Sequence, residues 1–266
     1  MDLDISYITM NRMCEKRLRK DAAFRKKVPS DRLNISLSAG RRMSDEELLF
    51  KLGSFGLEID RQTLGEWRKG FLSAEAMAKW IIAKRNISAE GLEIDWVWIC
   101  LTVLWERWFP ETPSLEMIDD MMQNGYERLE SRDSVEACDI WLKVWGLLLD
   151  LADRKMATTI DDLDRIFRGT QSIFNWVQDL ETELCNATMG KKDLMADRIS
   201  LCEKLLVRFP HEDSLLLENT RRALADSYFE SGNKEKADLL FREWLKDDPR
   251  GAGAGSVGPT VIGLCG

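Results

Sequence analysis

From Ile94 to Trp108 the apolar side chains recur at intervals of three and four: Ile94, Val97, Trp98, Leu101, Leu104, Trp105 and Trp108. That interval stacks residues on one face of an α-helix, whereas a half-buried strand needs strict alternation. Pro110 ends the run, because proline cannot continue the helical hydrogen-bond ladder. A second stripe of the same period runs through Val135, Cys138, Trp141, Leu142, Trp145, Leu148 and Leu149. No alternating run bounded by turn pairs is found, so the sequence predicts an all-α fold.

Start and stop signals agree with that reading. Ser44 and Glu47 form a capping box ahead of Leu48, Leu49 and Leu52, and Gly53 and Gly56 mark the end of that helix. Ser73 precedes AEAMAKWIIAKR, and Ser114 precedes a helix carrying Met117, Met121, Met122 and Tyr126. Further helical patterns cover 159–187, 193–208, 213–231 and 234–247. Short polar breaks join them, which predicts antiparallel hairpins stacked in a solenoid-like manner. Trp96 and Trp98 cannot share a face, so one of the two is expected to line a groove.

The chain has 266 residues, 44% apolar and 32% charged, enough for a sizeable core. Its most apolar stretch, Trp96–Trp105, is too short to cross a bilayer, and the first residues lack the apolar run of a signal peptide. Six cysteines (Cys14, Cys100, Cys138, Cys185, Cys202, Cys265) are scattered without a CxxC pair, the usage of reduced, buried thiols. A cytoplasmic protein with no membrane segment is the expectation. Charge is uneven. Residues 1–42 hold 11 Lys and Arg against 5 Asp and Glu, a net of +6, so the rest carries −14 of an overall −8. So acidic a body repels phosphate backbones and disfavours nucleic acid.

Residues Glu218–Gly251 carry a longer pattern. Leu224-Ala225, Tyr228, Gly232, Ala237, Phe241 and Pro249 fall at the Leu-small, Tyr, Gly, Ala, aromatic and Pro places of the tetratricopeptide repeat, a helix pair of about 34 residues. Small residues at 225 and 237 let two helices approach. Tyr228 and Phe241 fill the groove between hairpins, Gly232 ends the first helix and Pro249 the second. Trp244 departs from the pattern, which wants a small residue there. A fainter copy keeps Gly125, Ala137 and Trp141.

The segments SDEELLFKLGSFGLEID, FRGTQSIFNWVQDLETEL and LADSYFESGNKEKADLLFREWLKDDP resemble bacterial tetratricopeptide-like proteins. Many of these carry a C-terminal SEC-C motif, a short Cys-rich zinc-binding element. The resemblance spans about residues 43–250 and implies a fold more than a function. No SEC-C cysteines occur here, since Cys265 is solitary, so no cofactor is expected in this chain; zinc would belong only to a motif lost downstream.

Both ends raise questions of their own. A further repeat would begin at residue 252 with Trp, then a large–small pair, then Tyr. GAGAGSVGPTVIGLCG (251–266) shows none of these. With a free choice of codons, shifting the frame of its opening residues back by a single base gives Trp-Gly-Trp-Gly-Trp-Ile-Gly-Trp. Trp then falls in the slot of Gly255, the large–small pair at Gly258 and Pro259, and Tyr at Ile262. The expectation is an out-of-frame repeat; the alternative is a disordered Gly/Ala tail. Leu239, Leu240 and Trp244 would then lose their covering hairpin, favouring self-association. At the other end the resemblance begins at Met43. Residues 1–42 are expected to be an over-extended start, the alternatives being a basic arm for anionic partners and an ordinary extra helix.

The richest polar segment is Phe167–Glu183. Arg168, Gln171, Asn175, Gln178 and Asp179 recur at helical spacing and share broad faces with Trp176. Such side chains on a concave helix can clamp a peptide backbone or a carboxylate. The competing reading is a hydrogen-bond network between hairpins. Asp179, Glu181 and Glu183 offer a weaker acid–base reading. The single His, His211, sits at a helix junction, no cysteine–histidine spacing suits a metal, and no phosphate-binding glycine motif occurs. The sequence therefore points to a non-catalytic protein- or peptide-binding module. The alternative is a ligand-binding protein or enzyme with a polar pocket around Arg168, Asn175 and Gln178.

Overall fold

The computed structural model describes residues 7–28 and 34–247 of the chain. Among these there is no strand, and every regular element is a helix. The α-helices are α1 (Tyr7–Lys20), α2 (Ala22–Arg25), α3 (Leu37–Gly40), α4 (Asp45–Ser54), α5 (Arg61–Arg68), α6 (Ala74–Lys84) and α7 (Ile94–Trp108). They continue with α8 (Leu115–Glu130), α9 (Ser134–Lys155), α10 (Ile160–Phe167), α11 (Ile173–Ala187), α12 (Leu194–Arg208), α13 (Ser214–Glu230) and α14 (Lys234–Asp247). None is long and apolar enough to cross a membrane. The chain divides into two compact units: residues up to Asp120 with Arg168–Thr170, and Met121–Phe167 with the chain from Gln171 onward. The division falls within α8.

Unit 1 is built around α7. Every residue from Val97 to Trp105 is buried, so this helix is enclosed all round rather than along one stripe. Helices α3, α4 and α6 pack on it, with Leu37, Leu48, Leu52, Met77 and Ile81 supplying the core. The capping box forms as the sequence predicts: the Ser44 hydroxyl accepts from Glu47 N and the Glu47 carboxylate from Ser44 N. Gly53 lies inside α4, and Gly56, at φ +81, makes the turn beyond it. Trp98 enters the core, while Trp96 stays partly exposed with the Lys51 ammonium 5.4 Å from its ring. Residues short of Met43 belong to the same packing. Leu37 is buried, and a Cβ on Gly40 would stand 2.5 Å from Ile99 Cγ2. Arg41 pairs with Glu106 and Asp120.

In unit 2 the packing is sequential: α9 on α11, α11 on α12, α12 on α13 and α13 on α14. The first hairpin closes where α8 has no side chain. A Cβ on Gly125 would lie 2.0 Å from Nε1 of Trp141, which is fully buried and donates to the Met122 carbonyl at 2.8 Å. Trp141 meets Tyr126 and Trp176 edge-on, with ring centroids 4.8 and 6.0 Å apart. The last hairpin uses the residues of the repeat pattern. Gly232 takes φ +91 and donates to Phe229 O, while Asn233 N donates to Tyr228 O, the two bonds of a Schellman ending. The Asn233 side chain then accepts from Lys236 N and opens α14. Leu224, Ala225 and Ala237 are buried, and Tyr228 and Phe241 half-buried. Pro249, the side chain of Trp244 and the 251–266 tail lie outside the described residues.

Carboxylates tie helix starts to other helices in both units. Glu116 of α8 accepts from Ser73 Oγ and from the Ala74 and Glu75 amides at the start of α6. Glu212 accepts from Ile160 N at the start of α10. The first amides of a helix have no partner within it and carry partial positive charge, which makes a carboxylate their natural acceptor.

Candidate functional site

The polar segment predicted as one helix from 159 is broken. Helix α10 ends at Phe167, Arg168 adopts a left-handed φ of +48, and α11 begins only at Ile173. Ser172 caps α11 by accepting from Asn175 N at 3.2 Å. Asp164, one helix earlier, accepts from Ile173 N and Phe174 N at 2.5 and 3.3 Å. Burial pushes the Asp164 carboxyl above its ordinary range, and those two amides offset only part of the rise.

This break separates the predicted residues. Arg168 is exposed and belongs to unit 1, together with Thr170, whose amide and hydroxyl both donate to Asp119 at 2.8 Å. Gln171, Asn175, Trp176 and Gln178 belong to unit 2. Trp176 is completely buried, and its indole Nε1 has no hydrogen-bond partner, so it is a core residue rather than a binding surface. Asn175 is exposed. The Tyr126 hydroxyl donates to Asp179 at 2.5 Å, and Gln171 lies close enough to influence the same hydroxyl. Burial, then that carboxylate, push the Tyr126 hydroxyl far above its usual pKa. The Tyr126–Asp179 bond joins α8 to α11.

Gln178 has a second role. Its amide nitrogen donates to Phe174 O at 2.9 Å, and the side chain lines a cleft between α11, α12 and α13. The other lining residues are Val177 and Glu181 of α11, Leu201, Cys202 and Leu205 of α12, and Leu216, Asn219 and Thr220 of α13. The cavity is about 20 Å³, the room of about one water molecule. Thr220 returns its hydroxyl to Leu216 O, and burial pushes the Cys202 thiol up to about 12. A thiol so held stays protonated and is no nucleophile.

Beside the cleft, Glu181 meets Arg198. One carboxylate oxygen accepts from Nε at 2.7 Å and lies 2.6 Å from Nη2, with only 7% of the arginine side chain exposed. Burial alone would lower the Arg198 pKa; the charge and hydrogen bonds of Glu181 outweigh it and the pKa is raised. The Nη1 group is buried without a hydrogen-bond partner. Asp226 of α13 feels the same guanidinium, yet its own burial holds its carboxyl above the ordinary range against Arg198 and Arg222. This cluster was not read from the sequence. Its signal was Arg198 standing where the stripe Leu194, Leu201, Leu205 calls for an apolar residue.

Among the described residues no three His, Cys, Asp or Glu side chains converge in a way that could hold a metal ion. Cys14, Cys100, Cys138, Cys185 and Cys202 are separate free thiols. Comparison of the chain with protein-family models, with curated proteins and with solved structures returns no match.

Proposed function

We propose that this chain is a helical-repeat interaction module of tetratricopeptide type, a stack of hairpins that holds a protein or peptide partner and carries out no chemistry. The observation that carries the reading is a pair of amides with spare hydrogen-bonding capacity, Gln178 and Asn219, lining an apolar cleft, with the exposed Asn175 on the same helix as Gln178. Asn175 is exposed, Asn219 half-buried, and among the described residues neither side chain has a hydrogen-bond partner. The Gln178 carbonyl oxygen is likewise uncommitted, since only its nitrogen is engaged. Amides pair with a peptide main chain through both donor and acceptor, without reference to side-chain identity. The repeat pattern of α13 and α14, with Gly232 at the turn and Ala225 and Ala237 at the close approach, supports the same reading. The reading calls for no cofactor. Its setting is a cytoplasmic one, argued from cysteine usage.

Affinity capture with the full chain tests this, comparing the native sequence with an Asn175→Ala, Gln178→Ala, Asn219→Ala variant. The expected result is a partner enriched by the native chain and lost from the variant. An identical set of captured proteins, or none enriched by either, overturns the reading. Arg168→Ala serves as the contrasting variant and is expected to retain the partner.

A further inference from the structure

Unit 2 carries the whole net charge of the chain, 18 Lys and Arg against 26 Asp and Glu, whereas unit 1 balances at 20 against 20. The cleft between α11, α12 and α13 has the same bias at close range. Among the described residues that line it, Glu181 is the one charged side chain, and none is Lys, Arg or His. A cleft of that sign attracts a cation and repels an anionic group.

The fold does not consume the acceptors of this cleft. Arg198 makes both its contacts with the same oxygen of Glu181, Oε1, at 2.7 and 2.6 Å, so Oε2 has no partner among the described residues. Arg198 is itself buried and does not line the cleft. Gln178 gives an amide hydrogen to Phe174 O at 2.9 Å, which leaves its oxygen uncommitted, and Asn219 bonds to none of the described residues. Each of these three lining side chains therefore holds an unused oxygen. Leu201, Leu205 and Leu216 supply an apolar wall beside them. The cavity of about 20 Å³ admits a group about the size of one water molecule.

We infer that the cleft seats the primary ammonium of a lysine side chain on the partner. The inference rests on the peptide-binding reading and names the residue that the cleft selects. A primary ammonium is compact, close to water in size, and brings three N–H donors to the three unused oxygens of Gln178, Glu181 and Asn219. A guanidinium is planar and too large for the same space. A carboxylate or phosphate brings only more acceptors, and sets them beside the Glu181 charge. An apolar side chain covers the oxygens and leaves them without donors, a desolvation cost that the ammonium avoids. The four-carbon stem of lysine lies on the leucines while its charge reaches the oxygens. The spare amide hydrogens of Gln178 and Asn219 stay available to main-chain carbonyls.

An array of hexapeptides, acetylated at the N-terminus and amidated at the C-terminus, tests it with the full chain as probe. One central position is Lys, Arg, norleucine or Glu, and the others vary among uncharged residues, so a lysine carries the sole ammonium. Lys is expected to bind at least about tenfold tighter than norleucine, which has the same stem without the charge, and tighter than Arg, with Glu not held. Asn219→Asp should strengthen the Lys peptides about two- to fivefold, and Asn219→Lys should weaken them at least about tenfold. Thermal midpoints near the native one check that both variants fold; should either fail, the Lys, norleucine and Arg peptides on the native chain decide. Equal binding of Lys and norleucine overturns the inference and leaves the peptide-binding reading standing. So does equal binding of Lys and Arg, which attraction to the general charge of unit 2 would produce. A Lys preference unmoved by both Asn219 changes also overturns it, since the ammonium then sits elsewhere. Peptides held equally by the Asn175→Ala, Gln178→Ala, Asn219→Ala variant, or none held by the native chain, overturn the peptide-binding reading and the inference with it.

Discussion

Gly125 and Trp141 show how much rests on a single missing methyl group. The indole passes where a β-carbon would be and delivers its N–H to a backbone carbonyl of the neighbouring helix. Gly125→Ala must displace a fully buried ring, and overpacking of that kind costs about 3 kcal/mol. Chemical denaturation should show that loss with an unchanged m-value. The Glu181–Arg198 pair is a second point of high stakes. Glu181→Gln leaves a buried guanidinium without its counter-charge, a change expected to cost about 3 kcal/mol. Asp226 behaves oppositely. Its folded pKa is raised by burial, so its ionised form is penalised in the folded protein. That penalty is absent below the unfolded carboxylate pKa and grows as pH rises through the folded one. Asp226→Asn should therefore raise the thermal midpoint at pH 7 and lose the advantage near pH 3. The sequence marked Trp141 and Gly125 through their repeat spacing. It did not mark Arg198, because a charged residue on an apolar stripe reads first as an interruption.

At the scale of elements, helix starts were easier to read than helix ends. Ser44, Ser73 and Ser114 each accept from the amide three residues on at the start of the helix they precede, a signal that lies within a few residues of chain. The break at 168–172 was hidden because the left-handed turn falls on Arg168 rather than on the glycine beside it. The carboxylates of Glu116 and Glu212 were equally hidden, since each serves a helix start some 40 or more residues away. Gly232 stands at the other extreme, legible in the pattern and found with φ +91. Gly232→Ala places a β-carbon in the left-handed region and should cost about 1 kcal/mol. Thermal denaturation followed by circular dichroism would register it, and Gly53→Ala, inside α4 with open space around it, should not destabilise.

For the whole molecule, the all-helical class followed from periodicity alone, whereas the division into two units did not. Periodicity reports which face of a helix is apolar, not which helices it meets. The enclosure of α7 on all sides is a case in point: its stripe predicted one buried face, and the neighbours that cover the others come from residues 37–81. Residues 34–42 contribute to that enclosure. A chain begun at Met43 would lose the burial of Leu37, worth about 2 kcal/mol, together with the fit of Gly40 against Ile99 and the Arg41 pairs. A chain begun at Asn34 keeps all three. Its thermal midpoint should stay near that of the full chain, while the shorter chain should melt distinctly lower.

The placement of the tryptophans gives each unit its own optical signature. Trp98 and Trp105 are buried in unit 1, and Trp141, Trp145 and Trp176 in unit 2, while Trp80 is 39% exposed. Iodide should quench the long-wavelength part of the native emission and spare the part from the five buried indoles. Should the units melt separately, the emission maximum would move to the red in two steps. Each step would carry its own loss of near-ultraviolet circular dichroism, from the Trp67–Trp80 pair in unit 1 and from Tyr126 with the edge-on indoles of Trp141 and Trp176 in unit 2.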